Sequence, residues 1–248
     1  MHYRIYTGMV IKRAVLREAD EIITFWSWEE GKLRLLARGV KQAASKLRLL
    51  VSTLSWVELQ VVPSGFLSVV AGGRVLKSYP HITRSLDRSA SLFNLFELVM
   101  RATGDSEPNP QLTLLLQDAV SYLNSQSPLT LDFTNYFLSR LLNSLGYGLQ
   151  FEHCSSCHKP LALVERTQFA PSLFGFVCKK CARFIVATST TNSEFISYVQ
   201  RMSVAKEAFS TYDIPDHLGL LARSILLACV HHVLARIPKS EQFLTQNT

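Results

Sequence analysis

Acidic residues are scarce where the chain begins. Residues 1–79 hold six Asp or Glu against twelve Lys or Arg, whereas residues 80–248 hold thirteen against fourteen, so almost all of the +7 net charge belongs to the first third. Charge of either sign is sparse, at 18% of 248 residues, which argues against a disordered, highly solvated chain. The 48% hydrophobic content is enough for a sizeable core. No glycine-rich phosphate loop with Walker spacing occurs, no H-E-x-x-H, and no H-x-E upstream of a cysteine pair as in the zinc deaminases. Bond-making or bond-breaking chemistry is therefore not expected, and no catalytic residue is assigned. Met1-His2-Tyr3-Arg4-Ile5-Tyr6 lacks the basic start and apolar run of a signal peptide, which points to a cytoplasmic protein. The longest apolar stretch, 218–237, is interrupted by Arg223, His231, His232 and Arg236, so it reads as a buried helix with no membrane role.

Cysteine is equally rare, yet four of the five stand in two pairs, Cys154-Ser-Ser-Cys157 and Cys178-Lys-Lys-Cys181, with residues 158–177 between them. A two-residue gap lets both thiolates of a knuckle reach one ion, and this spacing matches a structural four-thiolate zinc site closed to water and substrate. Cys154, Cys157, Cys178 and Cys181 are the candidate ligands of one Zn²⁺ per chain. Rival readings are weaker. Haem attachment at Cys154–His158 leaves the second pair unexplained, a thioredoxin-like pair lacks its βαβ setting, and two disulfides need an oxidising compartment. His153 and His158 read as exposed loop residues, and Cys229 as a small buried hydrophobe.

Period-two patterning predicts strands at 6–15, 21–28, 33–38, 54–62 and 66–71, with 74–79 a possible extension. Glu29-Glu30-Gly31-Lys32 and Gly72-Gly73 read as hairpin turns. Five short antiparallel strands suggest a small barrel, with an OB-fold the first choice and an SH3-like barrel the alternative. After Pro80 helical periodicity takes over, with helices at 86–102, 111–123, 128–145, 192–211 and 215–237. The fold class expected is α+β and multidomain: an N-terminal five-stranded OB-fold barrel, then an all-α helical domain with an inserted four-cysteine zinc finger. The boundaries are 1–79 for the barrel, 80–150 and 187–238 for the helical domain, 151–186 for the finger, and 239–248 for a disordered tail.

Lys32, Arg34, Arg38, Lys41, Lys46 and Arg48 place six cations in seventeen residues with no acid among them, and Lys12, Arg13 and Arg17 lie upstream. On a strand Lys32 and Arg34 share a face, so the nine can form a stripe that neutralises phosphates, with bases stacking on Tyr3, Tyr6, Phe25, Trp26 or Trp28. A protein-only interaction module, in which the basic barrel docks an acidic partner, is the competing reading.

The opening Gly8-Met9-Val10-Ile11-Lys12, the turn Glu18-Ala19-Asp20-Glu21, the Trp28-Glu29-Glu30-Gly31-Lys32 hairpin and the Ala37-Arg38-Gly39-Val40-Lys41 segment resemble the amino-terminal signature of the bacterial RecO family of DNA repair proteins. Leu141-Leu142-Asn143-Ser144-Leu145-Gly146-Tyr147, followed by Cys154 and Cys157, resembles its carboxy-terminal one. The resemblance implies an OB-fold followed by a helical domain, non-enzymatic binding of single- and double-stranded DNA, and annealing of complementary strands. It implies partners as well: RecR, the C-terminal tail of single-strand-binding protein, the RecA recombinase and, in some pathways, RecF. A cytoplasmic, nucleoid-associated location follows from the same resemblance.

Overall fold

In the computed structural model, residues 3–52, 54–125, 127–161, 167–185, 189–191, 193–204 and 215–234 are described. The chain divides into two compact units, one over residues up to 126 and one over Ser127–Ile237. The expected tail at 239–248 and the helical extensions at 205–211 and 235–237 lie outside the described residues.

The first unit is built on strands β1 (Arg4–Val15), β2 (Glu21–Ser27), β3 (Gly31–Ala37), β4 (Ser55–Val62) and β5 (Val69–Ser78), with the one-turn helix α1 (Leu47–Leu50) between β3 and β4. They close in the order β1-β2-β3-β5-β4, all pairs antiparallel except β3 with β5, which meet in parallel at Leu36 and Val69. That order is the OB-fold, not an SH3-like barrel. Alternate residues supply the interior: Tyr6, Val10, Ile23, Phe25, Leu33, Leu35, Val57, Leu59, Val61 and Val70. Each alternates with residues on the outer face, as a half-buried strand requires.

The five-strand count matches the expectation, but the last strand corrects it. Gly72-Gly73 is not a hairpin turn; both glycines lie within β5, opposite Gln60 and Leu59 of β4, and the possible extension at 74–79 continues the same strand. Gly73 has φ +154, and a Cβ there would sit 2.1 Å from the Glu58 carbonyl oxygen. Gly73 therefore marks a close backbone approach, next to the register shift that precedes the contact of β5 with β3, the other reason a strand carries glycine. Gly31, by contrast, ends the expected hairpin, with φ +70. That turn is tied by Ser27 Oγ donating to Glu29 and by Glu29 accepting from the Thr7 amide.

Helices α2 (Pro80–Thr83), α3 (Leu86–Ala102) and α4 (Pro110–Asn124) belong to this same unit. Ser85 and Asn109 cap α3 and α4 by accepting from the Arg88 and Leu112 amides. On α3, Leu92, Leu95, Phe96, Leu98 and Val99 are buried, while Phe93 is exposed. One buried hydrogen bond ties barrel to helix directly: Trp26 Nε1 donates to Thr113 Oγ1 of α4 at 3.0 Å.

The second unit contains α5 (Leu131–Ser144), the three-stranded sheet of β6 (Thr167–Ala170), β7 (Gly175–Val177) and β8 (Ser189–Thr191), and helices α6 (Ser193–Val204) and α7 (Asp216–Leu234). Phe133, Phe137, Leu141, Phe195, Val199, Leu218, Ile225 and Leu226 form its core. Within it Tyr198 donates to Asp132 at 2.7 Å, and the Asn135 amide nitrogen donates to the Gly219 carbonyl at 2.9 Å, so buried hydrogen bonds join three helices. Helix α7 is long and apolar enough to cross a membrane by length and composition, but it packs on α5 and buries Leu218, Ala222, Ile225 and Cys229.

Gly73→Ala is expected to destabilise the first unit by about 2–4 kcal/mol, because the added methyl meets backbone and not a movable side chain. Urea unfolding followed by tryptophan fluorescence measures it. Wild-type stability would show that β5 tolerates a side chain there.

Candidate nucleic-acid interface and metal centre

Register decides which of the nine barrel cations face water. Strict alternation from Val10, which points inward, would point Lys12 inward as well. A bulge between Val10 and Lys12 inserts one residue and pairs Lys12 with Thr24, which in turn pairs with Arg34. The three form one row across β1, β2 and β3 on the outer face, so Lys12 and Arg34 lie about 10 Å apart at ordinary strand spacing. Both line a cleft of about 370 Å³ with Thr24, Lys32, Met100 and Asp105. Arg34 also borders a second cleft of about 450 Å³ that includes Arg4, Tyr6, Glu30, Phe66 and Asp105.

A second group is assembled from turns. The Gly39 amide donates to the Asp20 carboxylate at 2.8 Å, and the Lys41 amide to the Ala19 carbonyl at 3.3 Å. These bonds hold the β1–β2 turn, which carries Arg17, against the loop that carries Arg38, Lys41 and Lys46. Arg48 folds back on that loop, donating to the carbonyls of Lys41 and Gln42. Lys12, Arg17, Arg34, Arg38, Lys41 and Lys46 are exposed and make no side-chain hydrogen bond or ion pair among the described residues.

Two of the nine are committed to the fold. Lys32 does share a face with Arg34, but its side chain is only 14% exposed; its ammonium donates to the Met100 and Thr103 carbonyls and pairs with Asp105. A cation there satisfies the unpaired carbonyls at the end of α3 and complements the helix dipole. After the bulge Arg13 pairs with the inward-facing Ile23, and its guanidinium meets the buried Glu21 carboxylate at 2.7 Å. That pair neutralises its charge, although the guanidinium remains one-third exposed.

The aromatics divide in the same way. Tyr6, Phe25 and Trp26 are buried, so they are core or helix contacts and not stacking platforms, whereas Tyr3 and Trp28 are exposed. Sequence reasoning missed Phe66, 95% exposed on the β4–β5 loop at the edge of the cleft that holds Arg34 and Arg4. The signal was present: an aromatic beside Pro63-Ser64-Gly65, where a loop, not a strand, was due.

In the second unit the hairpin of β6 and β7 returns the second cysteine pair to the first. Ligand atoms of Cys154, Cys157, Cys178 and Cys181 all lie within 4.8 Å of one another. Cys157 Sγ and Cys178 Sγ are 4.0 Å apart, near the edge of about 3.8 Å that four sulfurs form around zinc and far beyond a disulfide at about 2.05 Å. His158, at φ +58, closes the first knuckle by donating its amide to the Cys154 carbonyl, and neither flanking histidine joins the cluster. Burial pushes the Cys154 thiol up, but backbone N–H donors from Cys157, Cys178 and Ser156 outweigh it and bring the thiol down to about 6. At Cys181 a hydrogen bond from Ser156 pulls down, yet partial burial and the sister cysteines together push it up to about 12. Four thiolates cannot all ionise side by side without a cation among them, so the donor set fits a metal ion.

Two family models together cover nearly the whole chain, and their boundary falls between barrel and helices, inside the first compact unit. The family described as "Recombination protein O N terminal" matches residues 1–79, and "Recombination protein O C terminal" matches residues 83–242. The DNA repair protein RecO of Geobacter metallireducens is 31% identical over 178 residues, 71% of this chain and 72% of its own length. That of Desulfitobacterium hafniense is 28% identical over 174 residues, 70% of this chain but 63% of its own length. The RecO of Roseiflexus sp. aligns over 98% of this chain and 86% of its own length at 26% identity.

Two substitutions separate the roles assigned above. Lys32→Ala is expected to cost about 1–2 kcal/mol of stability in chemical denaturation, and to leave the salt dependence of any nucleic-acid binding unchanged. Cys178→Ser is expected to lose bound metal in elemental analysis and roughly 3 kcal/mol or more of the stability of the second unit, while the first unit melts as before. Full metal content in that variant would remove Cys178 from the ligand set.

Proposed function

The chain belongs to the recombination protein O family of DNA repair proteins, and from that membership we propose that its barrel holds DNA by the phosphate backbone, through Lys12, Arg17, Arg34, Arg38, Lys41 and Lys46, with a weaker share from Arg48. The observation that carries this is the sorting of the barrel cations, in which those not needed by the fold stand exposed without a partner among the described residues. Contacts of this kind are blind to base sequence and reversible, because each releases counterions from the polyanion. A protein that must pass strands onward needs that combination.

Single- and double-stranded DNA are the substrates in this reading. Neutralising part of the charge on two strands lowers their repulsion and permits annealing of complementary sequences without nucleotide hydrolysis. With RecR, and with RecF in some pathways, the protein helps RecA replace single-strand-binding protein, whose acidic, hydrophobic C-terminal tail docks on the helical domain. The four cysteines hold one structural Zn²⁺ that braces the finger, and the working location is the cytoplasm, on the nucleoid. Exposed Phe66 beside Arg34 extends the interface, since an aromatic next to a phosphate-binding cation accepts a base on its face.

Fluorescence anisotropy of a labelled single-stranded oligonucleotide at several salt concentrations tests the binding surface. Arg34→Glu with Arg38→Glu is expected to weaken binding by about tenfold or more and to flatten the log–log salt slope by about 1.4, at about 0.7 per phosphate contact. Unchanged affinity and slope would reject the barrel surface. Absence of binding even at low salt would favour a protein-only interaction module.

A further inference from the structure

The cysteine knuckle that closes the metal centre carries an exposed feature the fold does not use. After Cys178, Lys179 and Lys180 project from the turn, and the 3₁₀ turn from Cys181 to Arg183 delivers Phe184 into solvent, 89% exposed. The finger buries aromatics elsewhere: Phe169 and Phe176 are fully enclosed and pack edge to face at 5.4 Å. Phe184 is held out rather than left loose, because its amide donates to the Cys181 carbonyl at 3.0 Å, and Cys181 is itself a cluster member.

Positive charge predominates around it. Described residues 151–161 and 167–185 contain Lys159, Lys179, Lys180 and Arg183 against a single acid, Glu152. All four cations are exposed, and none has a side-chain partner among the described residues. Four thiolates around a dication carry two negative charges, so the cations exceed what the metal centre needs to balance it. We propose that Lys179, Lys180, Arg183 and Phe184 form a second contact site for single-stranded nucleic acid, separate from the barrel. A base stacks on Phe184 while the flanking cations take the adjacent phosphates.

The shape of the tip favours this occupant over an acidic peptide. Peptide recognition uses a groove, a sheet edge or a pocket that encloses side chains. A ring exposed over 89% of its surface offers its faces, which suits the flat face of any base. Sites on two separate compact units give one chain the means to hold two strands at once, and the knuckle site stands or falls independently of the barrel.

The test uses the full chain loaded with zinc, its metal content and thermal unfolding checked for each variant. Anisotropy titrations with labelled oligo(dT), and with oligo(U) to compare DNA with RNA, are run on the parent, Phe184→Ala, Lys179→Glu with Lys180→Glu, and Arg34→Glu with Arg38→Glu. Phe184→Ala is expected to weaken oligo(dT) binding by about tenfold. The paired lysine reversal is expected to flatten the salt slope by about 1.4. Either change, added to the barrel variant, removes the binding that variant retains. Phe184→Trp preserves affinity and reports stacking by quenching of its fluorescence, which decides the question even if the lysine variant loses metal. Parental affinity and slope in both knuckle variants, with no quenching at Trp, would overturn the proposal. An acidic, phenylalanine-ended peptide that loses binding to Phe184→Ala while oligo(dT) does not would overturn it too, by reassigning the tip. Loss in the knuckle variants with none in the barrel variant would sustain this site and reject the barrel surface instead.

Discussion

Closure of the barrel by the parallel contact of β3 with β5 is the constraint from which the rest of the first unit follows. Five strands this short can enclose Phe25, Leu59 and Val57 only if the last strand crosses to reach the third; its register against β4 shifts between Gly72 and Val70, next to Gly73, where backbone passes too close for a side chain. Once the ring is shut, one face of every strand is apolar and dry. Cations then have three places to go: the outer face, the barrel ends, or the termini of packed helices.

Each destination gives a lysine or arginine a different meaning. Lys32 lies at the end of α3 and Arg13 at the barrel end beside buried Glu21, so both charges are consumed by structure. Lys12 reaches the outer face only because of the bulge before it. A net charge of +6 in residues 1–79 is therefore a count of side chains, not of free charges; the usable set is smaller and lies on one row and two turns. In the second unit the same economy operates through sulfur. Two knuckles form one cysteine cluster, and the hairpin of β6 and β7 brings them together.

The features legible in the sequence were those with short-range causes. Helix α3 was expected at its observed bounds from apolar spacing alone, and the caps found at Ser85 and Asn109 show that the starts of α3 and α4 are set locally. The four cysteines were readable because knuckle spacing is a property of three consecutive peptide units. Gly72-Gly73 was misread because a glycine pair has two uses, a turn and a close approach, and only the partner strand tells them apart. Buried Tyr6, Phe25 and Trp26 could not be told from exposed Trp28 by composition, since an aromatic in a strand serves a core and a stacking platform equally well.

By itself the sequence determined the OB-fold strand count, the order of barrel, helices and finger, the location of the positive charge and which four cysteines cluster. All of these rest on residue identity and on spacings of a few residues. Tertiary structure alone decided which cations are free, which aromatics are exposed, and that α3 and α4 belong with the barrel in one compact unit. The physical reason is register. A strand tells which residues share a face, but the face that looks inward depends on bulges and on closure with strands tens of residues away.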